Sequence, residues 1–212
     1  MADRENRLKT LLLTLSESDL LEDGSIDNLF ARFPAVQNAG IETVIIHIDL
    51  LPAADFEKQR LLIDFFEERL NAAFQTFSFD GAVRYAVFSG RGEIETASGN
   101  FTGDDNFSVL FSLGLGGRDE LKRILSTFIR DCKIGKAAPS DMTPDCISSR
   151  LLLPFEPDLI LSSSKNRLSD FMIWQTVYSE YYFMDKSVRR WTDADLAKAF
   201  RAFQNRDRRY GV

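Results

Sequence analysis

Short apolar runs alternate along the chain with longer segments in which apolar residues recur every three or four positions. The runs are typical of buried strands and the longer segments of helices packed on a core. This alternation predicts an α/β fold, with a single domain over residues 1–212 and a mostly parallel central sheet flanked by helices. The predicted strands are 10–15, 43–49, 82–88, 107–113 and 158–161.

Residue types at the segment ends predict where helices begin. Ser25 is a good N-cap residue for a helix over 25–38, which Pro34 should bend. By similar signals, further helices are predicted to start after Gly117, Thr143 and Thr192.

The longest predicted helix, 55–77, carries a broad apolar face. Its members recur at spacings of three and four: Leu62, Phe66, Leu70, Ala73 and Phe77. The chain contains 18 phenylalanines, so these rings either fill a bulky core or line an apolar cavity. A filled core is the favoured interpretation from composition.

Charge and composition narrow the functional classes. The formal charge is −6, which argues against a general nucleic-acid binder. From Lys186 onward there are eight basic and three acidic residues. This basic end is either a solvated helix or a surface that meets an anionic ligand such as diphosphate.

Few side chains are available for metal or nucleophilic chemistry. His47 is the only histidine, which excludes a multi-histidine metal site, and its place in an apolar strand favours a structural role. Two cysteines, Cys132 and Cys146, do not make a disulfide framework. The charged first nine residues lack a signal-peptide pattern and no apolar run is long enough to span a bilayer, so a cytoplasmic protein is expected.

Four strings in the second half of the chain carry a family resemblance. They are Gly-Gly-Arg-Asp-Glu at 116–120, Pro-Asp-Leu-Ile at 157–160, residues 167–183, and Arg-Asp-Arg-Arg-Tyr-Gly at 206–211. Together they resemble the cis-prenyltransferase family of polyprenyl diphosphate synthases. The resemblance covers roughly residues 106–212, and the string from 167 to 183 is its most specific part. The first hundred residues agree mainly in the order of their predicted elements.

The resemblance implies a fold, an activity and a set of partners. Family members have a parallel sheet flanked by helices, with an apolar tunnel for the growing chain. They add isopentenyl diphosphate to an allylic diphosphate with cis geometry, and they usually need Mg²⁺. They work as homodimers, or as a catalytic subunit paired with a degenerate partner of the Nogo-B-receptor type. Peripheral association with a membrane is compatible with such a product.

Five residues match positions to which the family gives a role. Arg167 and Ser169 correspond to an arginine and a serine that hold isopentenyl diphosphate. Arg209 and Gly211 correspond to an Arg-x-Gly end that reaches across the dimer to the partner's substrate. Glu180 corresponds to a glutamate that approaches Mg²⁺.

The family's catalytic motifs are largely absent. Its Asp-Gly-Asn-x-Arg string after the first strand is replaced by Leu-Ser-Glu-Ser-Asp at 15–19. Its Ser-x-x-Asn segment is replaced by Asp-Leu-Leu-Pro at 49–52. Its Arg-x-Gly-Gly-Glu segment is replaced by Ser-Ser-Ser-Lys-Asn at 162–166. A diphosphate needs cations and backbone donors, so no catalytic residue is assigned to this chain.

Three hypotheses follow from this combination. The preferred one is a non-catalytic subunit of a heteromeric cis-prenyltransferase that supplies its Arg-x-Gly end in trans, with Mg²⁺ serving the assembled complex. The second is a divergent enzyme active on its own, in which Glu17, Asp19 or Asp49 binds the metal while Lys165 and Arg167 hold phosphate. The third is a polyprenyl-lipid-binding protein.

Overall fold

A six-stranded, all-parallel sheet forms the centre of the molecule in a computed structural model that describes residues 7–50, 56–89, 107–163 and 169–206. The strand order is β3-β4-β2-β1-β5-β6. The predicted α/β fold is therefore confirmed, and the five predicted strands differ from the observed ones by at most one residue at either end. The strands are β1 (Thr10–Ser16), β2 (Thr43–Asp49), β3 (Val83–Ser89), β4 (Phe107–Leu113), β5 (Leu159–Ser162) and β6 (Glu180–Phe183).

Seven α-helices occur in the described ranges, and the predicted starts after Thr143 and Thr192 are confirmed. Thr143 accepts a hydrogen bond from the Cys146 backbone N–H at 3.2 Å, and Thr192 accepts one from the Asp195 N–H at 3.3 Å. The helices are α1 (Glu17–Leu21), α2 (Ser25–Phe30), α3 (Phe33–Asn38), α4 (Phe56–Thr76), α5 (Gly117–Lys133), α6 (Pro144–Ser148) and α7 (Asp193–Gln204).

The predicted bent helix over 25–38 is wrong, because the chain forms two separate helices there. Pro34 lies in the first turn of α3, where its missing N–H costs nothing, so a new helix begins instead of an old one bending. The predicted cap is also wrong. Gly24, with φ of +79°, precedes α2, and Ser25 is buried as its first residue.

The sheet has two differently covered faces. Helices α2, α3, α4 and α7 pack on the face formed by the odd-numbered residues of β1, including Leu11 and Leu13. The opposite face carries Leu12 and Ile45 and is covered by a smaller apolar cluster that includes Phe171. Within the described ranges, the helices are all too short or too polar to cross a membrane.

An aromatic cluster fills the space between α4 and the sheet near the amino ends of the strands. The centroids of neighbouring rings in it lie 4.8 to 6.4 Å apart, within contact distance for aromatic pairs. Ile63, Phe66 and Leu70 of α4 are buried in the same core, which supports the interpretation of the apolar face of α4 as core. The cluster consists of Phe30, Phe33, Phe77, Phe79 and Phe111.

Candidate functional site

The carboxyl ends of β1 and β5 lie side by side where the direction of the chain connections reverses. From β1 the chain passes to β2 on one side, and from β4 it returns to β5 on the other. Open α/β sheets bind ligands in the crevice at this switch point. The structure therefore brings together two segments that replace family motifs in the sequence, residues 16–19 and the start of 162–166. We call this region the carboxyl-edge site.

Asp19 is the best-connected side chain of the carboxyl-edge site. Its Oδ2 accepts hydrogen bonds from the Ser16 backbone N–H at 2.9 Å, the Ser16 hydroxyl at 2.6 Å and the Ser163 hydroxyl at 2.5 Å. The carboxylate thus sits at the N-terminus of α1, where a bound anion would otherwise be stabilised. A diphosphate placed there would meet a negative charge and a backbone donor that is already occupied.

The carboxylates predicted as metal ligands do not form a cluster with others. Asp49 ends β2 in register with Ser16, so it lies at the same edge of the sheet. Glu17 follows Ser16 directly and is half-buried. Across the described ranges, no group of three or more His, Cys, Asp or Glu side chains is arranged to hold a metal ion.

A row of buried polar side chains crosses the sheet two residues before Ser16, and it shares Ser162 with the carboxyl-edge site. It is formed by Ser112, His47, Thr14 and Ser162 on four neighbouring strands. His47 Nδ1 lies 3.2 Å from the Ser112 hydroxyl, and its ring stacks on Phe171 with centroids 4.0 Å apart. Burial lowers the pKa of His47 to about 3, so the imidazole is neutral at physiological pH. These contacts support the predicted structural role.

Two of the strings that carry the family resemblance touch each other. The start of α5 packs so closely against the turn at 169–173 that a Cβ on Gly117 would lie 2.0 Å from the Asp170 carbonyl oxygen. In the same turn, the Ser169 hydroxyl accepts a hydrogen bond from the Phe171 N–H at 3.1 Å. Gly117 thus allows α5 to pack against residues 169–173, which directly follow the predicted diphosphate segment. In the sequence, Gly117 could be recognised only as one of two adjacent glycines at a predicted turn.

Comparison with known proteins identifies the family to which this chain belongs. A sequence model described as "Putative undecaprenyl diphosphate synthase" matches residues 64–211, more than half of the chain. The chain belongs to this cis-prenyltransferase family. It is 37% identical over 116 residues to an isoprenyl transferase of Deinococcus radiodurans, covering 51% of this chain and 42% of that protein. It is 40% identical over 113 residues to an isoprenyl transferase of Clostridium perfringens, covering 50% and 44%.

The alignments with these two relatives span less than half of their length. Solved structures agree with the fold over nearly the whole chain. Lavandulyl diphosphate synthase from Lavandula x intermedia, in complex with dimethylallyl diphosphate, superposes with a TM-score of 0.78 at 16% identity, covering 98% of this chain and 100% of that one. A probable undecaprenyl diphosphate synthase from Campylobacter jejuni gives 0.72 at 18% identity, with the same coverage. At such identities the likeness shows the cis-prenyltransferase fold alone.

Glu180, matched to the family's magnesium-approaching glutamate, lies far from Asp19 in this chain. It begins β6 in register with Leu159, which pairs with Leu11, five residues before Ser16. At about 3.3 Å per residue, this separates the two levels by about 16 Å. The carboxylate instead binds Arg206, whose Nη1 lies 2.6 Å from Glu180 Oε2. The structure does not bring Glu180 into the carboxyl-edge site.

The remaining predicted binding residues fall outside the described residues. These are Lys165 and Arg167 in the diphosphate segment, and Arg209 and Gly211 in the C-terminal triplet. Their proposed roles stay predictions. The described chain ends at Arg206, which also donates to the Tyr181 carbonyl oxygen at 3.0 Å and so fixes the start of the C-terminal end beside β6.

Proposed function

We propose that this chain is a non-catalytic subunit of a heteromeric cis-prenyltransferase that makes polyprenyl diphosphate from isopentenyl diphosphate. In this proposal Arg167 and Ser169 contribute to a diphosphate subsite, and Arg209 and Gly211 reach the substrate of the catalytic subunit. Arginine suits that task because its planar guanidinium binds two phosphate oxygens at once. Family membership supports the reaction class, and the chemistry of the carboxyl-edge site supports the non-catalytic role.

The observation that carries the proposal is the hydrogen bonding of Asp19. A magnesium ligand needs a carboxylate oxygen free to face the metal, and a diphosphate site needs cations and unpaired donors. Here Oδ2 already accepts three hydrogen bonds, and every donor to it is a serine group of the site itself. This arrangement stabilises α1 and β5 against each other. It disfavours a metal ion at Oδ2; in the alternative of a divergent enzyme, Asp19 would have to bind the metal through Oδ1.

An exposed apolar surface beside β6 supports association with another subunit. β6 is the last strand of the described sheet. Three apolar side chains before it are well exposed: Ile173 at 43%, Val177 at 68% and Tyr178 at 58%. We propose that the catalytic subunit covers this surface. Arg206 contacts Glu180 and Tyr181 of β6, so the last described residue before the C-terminal triplet lies at this edge of the sheet. This position favours delivery of Arg209 to the catalytic subunit.

The proposal is tested by substituting Arg209 in the assembled complex. The chain is purified with its catalytic subunit, and incorporation of isopentenyl diphosphate is measured with Mg²⁺. Arg209→Ala should lower turnover about 100-fold, the scale expected when one charge-assisted contact to transferring phosphate is lost. The matched control Arg208→Ala, in the same tail, should change turnover less than threefold. Size-exclusion chromatography should show that both variants still assemble. Equal turnover of Arg209→Ala and wild type would contradict the proposal.

A further inference from the structure

A cavity of about 460 Å³ lies beside α5, on the sheet face opposite to α4. Its apolar wall is formed by Leu152, Leu153, Phe171 and Met172. It is separate from the carboxyl-edge site, because none of the residues 16–19 or 162–163 lines it. A cavity of this size accommodates a small organic molecule.

Two polar atoms at this cavity lack partners within the described part of the chain. Gln175 lines the cavity and is only 7% exposed, yet its Oε1 accepts no hydrogen bond, while its Nε2 donates to the Leu153 carbonyl oxygen at 3.1 Å. The buried Nε of Arg123, on the α5 wall, also makes no hydrogen bond. Buried polar atoms are normally paired, so an acceptor and a donor left open in one cavity point to a ligand.

The charged side chains around the cavity indicate the charge of the ligand. Lys122 and Arg123 supply positive charge, and Asp119 and Glu120 supply negative charge. Glu120 Oε1 accepts a hydrogen bond from the Leu152 N–H at 2.7 Å and also lies 3.9 Å from Arg123 Nη2, so it forms an ion pair with one nitrogen of that guanidinium. The Nε–H of Arg123 still has no acceptor, and together with the charge of Lys122 it favours an acidic group on the ligand.

We propose that this cavity binds an amphipathic organic anion. Its acidic group accepts a hydrogen bond from Arg123, an N–H or O–H group donates to Gln175 Oε1, and its apolar body packs on Leu153, Phe171 and Met172. The inference does not depend on the proposed function, because it concerns a different set of residues from the carboxyl-edge site and the C-terminal triplet.

The test uses two fluorescent probes that differ in one group. 1-Anilinonaphthalene-8-sulfonate has apolar rings, an N–H donor and an anionic sulfonate, and N-phenyl-1-naphthylamine lacks the sulfonate. The folded wild-type chain should bind one sulfonated probe per molecule, saturably and more tightly than the neutral probe. Arg123→Gln should weaken the sulfonated probe about tenfold, as expected for one charge-assisted hydrogen bond. Arg130→Gln, an exposed substitution on the same helix, should leave its affinity unchanged.

A second pair of variants tests the location. Ser126 lines the cavity from an exposed position on α5, so Ser126→Trp should block binding, whereas Ser126→Ala should preserve it. Circular dichroism checks that each variant is folded. If Ser126→Trp does not fold, the comparison of wild type with Arg123→Gln still decides the test. Equal affinity of the sulfonated probe for wild type and Arg123→Gln, or equal affinity of both probes for wild type, would overturn the proposal.

Discussion

His47 is a polar side chain buried in the sheet, and its imidazole is neutral there. Its ring stacks on Phe171, and Nδ1 lies within hydrogen-bond distance of the Ser112 hydroxyl. Burial lowers its pKa to about 3, whereas an unfolded histidine titrates near 6.5. Between about pH 6.5 and 3, His47 is therefore protonated in the unfolded chain and neutral in the folded chain. The free energy of unfolding consequently falls as the pH decreases through this range.

Replacing His47 by phenylalanine should remove this pH dependence while keeping a ring against Phe171. Between pH 6.5 and 5, the wild-type free energy of unfolding should fall by about 1.5 kcal/mol more than that of His47→Phe. Urea unfolding at several pH values measures the difference. Parallel pH profiles for the two proteins would show that the folded imidazole has the same pKa as the unfolded one, which would contradict the lowered pKa of His47.

Among the elements, the close packing of α5 against the turn at 169–173 depends on a glycine, Gly117, at the start of α5. Gly117 allows the backbone of α5 to approach the Asp170 carbonyl oxygen, and a nearby exposed ion pair places Arg118 Nε 3.9 Å from Asp170 Oδ2. Close approach of two backbones is a common reason for glycine at such a position. Since Ser169 lies in this turn, the junction also positions the flank of the predicted diphosphate segment.

Gly117→Ala should destabilise the chain by about 2–3 kcal/mol, because its Cβ meets backbone that cannot move independently. Gly116→Ala is the matched control. There the added Cβ would lie 3.3 Å from Asp119 Oδ2, which belongs to a side chain that can rotate away, so the change should stay within about 0.5 kcal/mol. Thermal and urea unfolding measure both. Similar losses for the two variants would contradict the close approach.

The elements also show what the sequence could and could not predict. Long apolar runs such as β2 and β4 were predicted to the residue, because a strand buried on both faces leaves little ambiguity. β6 was missed because its four-residue Glu-Tyr-Tyr-Phe string is short and only half-buried, and it becomes a strand by pairing with β5. The short helix α1 was missed because five residues carry little periodicity and its start depends on the Asp19 cap.

The same limit applies to the candidate site. The pairing of β1 with β5 brings residues 16–19 close to Ser162 and Ser163, but their predicted roles stay predictions. The hydrogen bond from Ser163 to Asp19 joins residues 144 positions apart, and no local pattern predicts it. The unpaired Gln175 Oε1 and the cavity beside α5 likewise arise from packing between distant segments.

At the scale of the whole molecule, the chain combines a family fold with altered sequences at the segments where the family binds diphosphate. The sheet order and the match over residues 64–211 place it among the cis-prenyltransferases. At the switch point, however, a carboxylate occupies the helix N-terminus where a diphosphate would need donors and cations. We propose that the chemistry takes place on a partner subunit and that this chain provides a docking surface and a C-terminal arginine.

The most direct test is elongation by the purified chain alone. Labelled isopentenyl diphosphate, a short-chain allylic diphosphate and Mg²⁺ are supplied, and product is measured with and without the catalytic subunit. The account predicts no product above the protein-free background for the chain alone, and sustained turnover once the catalytic subunit is added. Repeated turnover by the chain alone, abolished in Asp19→Ala, would contradict it.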